Sequence, residues 1–115
     1  MTTETLASAA LHDIVEEGTR DYKDILENAD PAGTTDRCWQ ELSSLYSRLS
    51  GRDREVLVSV MRQSQIDAIA TLFAAIDGVG PLQNQDENMV LSSANGRVIS
   101  GGLSDEFLRL VEESE

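Results

Sequence analysis

The sequence predicts a mainly α fold, a single helical domain spanning residues 1–115. The expected architecture is a helical bundle around one long central helix, with a short β-hairpin and a C-terminal helix that make it α+β at its end. Three observations carry this. Arg52 to Asp77 reads as an unbroken helix with stop signals on both sides. The segments before it place apolar residues at three- and four-residue steps. After Pro81 the pattern shifts to two short β-prone runs around Asn95-Gly96.

The central helix starts at Ser50, a good N-cap, with Asp53 three residues on and the negative charge of Asp53 and Glu55 in its first turn. Gly78 and then Gly80-Pro81 end it. Leu57, Val60, Met61, Leu72 and Ile76 share a broad face, and Ile66, Ile69 and Phe73 extend it. A helix apolar on so many sides predicts cover from several neighbours. Its polar remainder is a stripe at four-residue spacing: Ser59, Gln63, Asp67 and Thr71. That stripe is either a solvent edge or a seam facing another helix or chain.

The first helix is expected over about residues 4 to 28, capped by Thr2 or Thr3. Leu11, Ile14, Val15, Gly18, Tyr22, Ile25 and Leu26 form its apolar side. Gly18 within that side implies a close helix neighbour, since Gly costs about 1 kcal/mol against Ala in an exposed helix. Asp30-Pro31-Ala32-Gly33 breaks the chain, and Thr34 or Thr35 starts a second helix to about Leu49. Trp39, Leu42, Leu45, Tyr46 and Leu49 make its inner face. The very short joint at Ser50-Gly51 predicts an antiparallel helical hairpin with the central helix. Met89-Val90-Leu91 and Arg97-Val98-Ile99 predict a hairpin closed by a type I′ turn. Ser104 is the expected cap of the last helix, whose apolar side is Phe107, Leu108, Leu110 and Val111.

Net charge is −12 and uneven. Residues 1–30 hold eight acids and two bases; residues 81–115 hold seven acids and two bases; residues 31–80 come to −1. Acidic ends disfavour nucleic acid and anionic membranes and suit a basic protein partner. A single cysteine, Cys38, excludes an internal disulfide. No basic leader and no spanning apolar run occur, so a cytoplasmic protein is expected.

Candidate chemistry is thin. His12 and Glu16 form an i,i+4 pair, but catalytic zinc needs three ligands and His12 is the one histidine. Cys38 beside Trp39 reads as a buried structural thiol. Gly101-Gly102 before a helix suggests an anion nest, yet Asp105 and Glu106 already sit at that positive end. Asp86-Glu87-Asn88 lacks the ligand order of an EF-hand. No catalytic residue, cofactor or metal site is assigned.

The run Leu72 to Gly80, followed by a polar loop, Leu91, and Gly101-Gly102-Leu103 through Leu108, resembles small uncharacterised bacterial proteins built on domains of unknown function. That resemblance implies no activity and transfers no site.

The expectation is a non-enzymatic acidic protein acting through protein–protein contact and self-association, with Ser59, Gln63, Asp67 and Thr71 as its interaction stripe. One alternative is an immunity or inhibitor protein capping a basic toxin or nuclease, steered by charge. The other is a small ligand sensor or enzyme, which a pocket lined by Asp67, Gln63 or His12 would favour.

Overall fold

The computed structural model describes residues 1–28, 33 and 35–115. Among them the chain runs as α1 (Thr3–Ala9), a π-helical segment (Ala10–Glu16), α2 (Glu17–Asn28), α3 (Arg37–Arg48), α4 (Gly51–Asp77) and α5 (Leu103–Glu113). The expected break at Asp30-Pro31-Ala32 and the cap at Thr34 lie outside the described residues.

The first rod is one continuous helix with a change of winding in its middle. Thr2 caps it, accepting from the Thr5 amide at 3.1 Å, while the Thr5 hydroxyl takes the Thr2 amide at 2.7 Å. Why the π segment forms follows from the phase of the buried residues. At about 100° per residue, Ala7 and Ala10 point roughly 130° away from Val15, Thr19 and Leu26. All five are buried. A π-helix turns less per residue, because its bonds run i→i+5. Ala10–Glu16 therefore unwinds the rod and brings both sets onto one side. The single α-period expected for this helix is thus corrected: Ile14, Tyr22 and Ile25 are exposed.

α4 forms where the sequence placed it. Ser50 accepts from the Asp53 amide at 3.1 Å, and Gly78 closes the helix in the left-handed conformation, φ 80°. Its cover is one-sided, however. Ile66, Phe73 and Ala75 are buried, whereas Val60 (58%) and Leu72 (51%), expected in its apolar face, are exposed. The main core is built by α1, the π segment, the second half of α4, α5 and Ile99: Ala7, Val15, Ile66, Phe73, Leu103, Phe107 and Val111 meet there. Phe73 and Phe107 pack edge to face, centroids 5.7 Å apart.

α3 stands outside that core. Its cap is Asp36, which accepts from the Trp39 amide at 3.1 Å, rather than Thr35. It packs on α2 and not along α4, so the expected antiparallel hairpin of α3 and α4 is absent. Trp39 stacks on Tyr22, centroids 5.4 Å apart, and the buried Tyr46 hydroxyl donates to Glu27 at 3.2 Å. The helix leaves at Leu49 with extended backbone, and Arg54 on α4 turns back to donate to the Tyr46 carbonyl at 2.9 Å. The result is a packed head with a thin arm made of the end of α2, α3 and the start of α4. The radius of gyration, 17.4 Å, exceeds the roughly 13 Å of a compact chain of this length.

The predicted β-hairpin is overturned. Between α4 and α5 the described chain holds no strand, only one isolated antiparallel bridge, Ser92 to Val98. Leu91 and Ile99 lean on the core, and the Ile99 amide donates to the Leu91 carbonyl at 2.8 Å, but Val90 and Val98 are exposed and the pairing does not extend into a ladder. The turn is not type I′ either, since Gly96 has φ 88° but Asn95 is not at positive φ. Asn95 instead uses its side chain, accepting from the Arg97 amide and the Ser93 hydroxyl. Only Ile99 at the end of this loop is buried.

Candidate functional site

Two surfaces on α4 are open to solvent. The first is its open face. Ser59, Gln63, Asp67 and Thr71 are all exposed along it. They are tied to their own helix: Gln63 donates to Asp67 at 2.8 Å, Ser59 to the Val56 carbonyl at 2.7 Å, and Thr71 to the Asp67 carbonyl at 2.7 Å. Asp67 thus has its donor on the same helix. Val56 and Val60, exposed at 49% and 58%, continue this face toward the arm, at steps of four and three residues from Gln63. Periodicity alone assigned Val60 inward and so missed the apolar half of the face.

The second surface is a groove of about 470 Å³ between α2, α3 and α4. Thr19, Lys23 and Glu27 line it from α2, Tyr46 from α3, and Gly51, Arg54, Glu55, Val58, Ser59 and Arg62 from α4. Ser59 is the one stripe residue that reaches it; Gln63, Asp67 and His12 do not. Arg54 is fixed there by the Tyr46 carbonyl, the Ser47 carbonyl at 3.4 Å, and the Tyr46 ring, 4.7 Å below its guanidinium. Burial first, and then the Glu27 charge, push the Tyr46 phenol up, so it stays a hydrogen-bond donor. Arg62 holds Glu16 at 2.6 Å, the Glu115 carboxylate at 3.4 Å and the Ser114 hydroxyl at 3.1 Å.

The structure places the remaining candidates as follows. His12 does not pair with Glu16. Its Nδ1 lies 2.6 Å from Asp13 and its Nε2 3.8 Å from Glu17. The π winding is the cause: it brings the fifth residue round, not the fourth, and Glu16 turns to Arg62. The Asp13 hydrogen bond, then the Glu17 charge, raise the His12 imidazolium above its ordinary range. Cys38 is exposed, not buried as expected. Among the described residues no group of three or more His, Cys, Asp or Glu could hold a metal ion, and no helix is long and apolar enough to cross a membrane.

The suggested nest at Gly101-Gly102 is filled by the chain itself. Asp77, the last residue of α4, accepts from the Gly101 amide and the Ser104 amide at 2.7 Å each. Ser104 therefore does not cap α5; its hydroxyl turns to the Ala70 carbonyl at 3.4 Å. No local pattern marks this long-range cap. Gly18, in turn, faces a side chain: a Cβ there would meet Gln65 Oε1 at 2.8 Å.

No family model, curated protein or solved structure matches this chain.

Proposed function

We propose that this chain works by binding protein rather than by catalysis, and that its first partner is a second copy of itself. The observation that carries the reading is the open face of α4. Val56 and Val60 lie bare beside Gln63, Asp67 and Thr71 on a helix whose opposite side is packed. Val56 and Val60 still expose about half of their surface, so burying each removes apolar area worth roughly 1 kcal/mol from water, and a two-fold contact counts each twice. Charge supports the same place. Residues 31–80 come to −1 of the total −12 and hold five of the nine bases, so two copies repel least through this region. The reading places the protein in the cytoplasm.

Substitution of Val60 tests it. Val60→Asp adds a charge to an exposed position and leaves the core alone. Light scattering coupled to gel filtration is expected to show self-association of the parent chain and its loss in Val60→Asp, with unchanged helical circular dichroism. A parent chain that stays monomeric at high micromolar concentration defeats the reading. Undiminished association of Val60→Asp defeats the assignment to this face.

A further inference from the structure

We infer that the groove between α2, α3 and α4 binds a small organic anion, a carboxylate or phosphate compound that also carries hydrogen-bond donors. At about 470 Å³ the groove has the size of a small-molecule site. Its chemistry is at odds with the rest of the molecule. Three of the chain's nine bases, Lys23, Arg54 and Arg62, line it in a protein of net charge −12.

These cations differ in state. Arg54 is pre-organised: two backbone carbonyls and the Tyr46 ring hold its guanidinium without neutralising it. Fixing a donor in advance removes the ordering cost from binding. Lys23 makes no hydrogen bond or ion pair among the described residues, although Glu27 lies one turn along the same helix. Glu27 is taken instead by the Tyr46 hydroxyl at 3.2 Å. Arg62 shows what these groups accept, since the carboxylates of Glu16 and Glu115 already meet it. Gly51, the first residue of the 27-residue α4, also lines the groove and gives it a backbone wall without a side chain.

The two carboxylates on the wall set the other half of the specificity. Glu27 and Glu55 repel a polyanion and leave acceptors for a hydroxyl or ammonium group of the ligand. A compact anion with donors satisfies both sets; a nucleic acid or an anionic lipid surface does not. The site adjoins the open face of α4 through Ser59, but its cations, Lys23, Arg54 and Arg62, are not the valines on which self-association rests.

The test is an amide NMR titration of the full chain with inorganic phosphate and, separately, with citrate at constant ionic strength. Saturating shifts confined to Lys23, Gly51 and Arg54 are expected with at least one probe. Lys23→Gln, at an exposed position that the fold does not need, is expected to weaken that binding at least fivefold, as is Arg54→Gln. Shifts that never saturate, shifts shared equally with Arg97 and Arg109, or an affinity unchanged in Lys23→Gln would overturn the site.

Discussion

At Asp77 one carboxylate holds two chain segments, accepting from the Gly101 and Ser104 amides at 2.7 Å. The first turn of α5 depends on it, because Gly102 provides no side-chain cap. Charged hydrogen bonds of this kind contribute about 1.5–3 kcal/mol, and lost caps cost about 0.5–2 kcal/mol. Asp77→Ala is therefore expected to destabilise the fold by about 2 kcal/mol, lowering the thermal midpoint by roughly 10 °C. A melting curve by circular dichroism checks it, and a shift within one degree contradicts it. His12 gives a second expectation. Its folded pKa is raised by Asp13 and Glu17 above the usual 6.5. A raised pKa means that its contribution to stability is fully present below about 6.5 and is lost as pH rises through the folded value. An NMR titration should find His12 above 6.5 and lower in Asp13→Asn; equal values in both would contradict the pairing. The sequence showed the caps that lie within one turn of their helix, Thr2, Ser50 and Gly78. It hid Asp77 because its partners lie 24 and 27 residues away, and the approach of Glu17 to His12 because that i,i+5 spacing depends on a winding no local signal announces.

At the level of elements, position was legible and winding was not. α4 starts and stops within a residue of its expected limits because caps and Gly-Pro punctuation are local. The π segment has no residue signature. It exists because the buried sets on either side are out of phase, and tertiary packing settles that. Deleting one residue from it gives a sharp expectation. Removing Asp13, an exposed residue, lets the segment revert to α-helix while both flanking faces keep their register. That deletion should melt within about 1 kcal/mol of the parent. Deleting Asp21, in the regular part of α2, rotates Leu26 out of its place and should cost several times more, in the range of a lost buried leucine at roughly 2–5 kcal/mol. Equal losses in the two deletions, read by thermal unfolding, would contradict this account of the winding. The hairpin failed for a related reason. Asn95-Gly96 did mark a turn, and Leu91 and Ile99 do lean on the core, yet the pairing stops at the single bridge between Ser92 and Val98, with Val90 and Val98 left exposed.

At the scale of the molecule, the chain divides into a head with a real core and an arm that is barely two helices thick. The sequence disclosed the amount of apolar surface on α4 but not which part of it stays bare. The inner half is spent on the π segment and α5, and the outer half, from Val56 to Thr71, faces outward. In the proposed self-association, the acidic ends would keep other surfaces of two copies apart, and the near-neutral middle would let them meet. Salt should then strengthen association, because screening relieves repulsion between two chains of −12 while leaving apolar contact intact. Sedimentation equilibrium across concentration and ionic strength measures this directly. The expected result is a mass rising from 12.6 kDa toward twice that value, at lower protein concentration in higher salt. A mass fixed at 12.6 kDa under all conditions would contradict the interface proposed on α4.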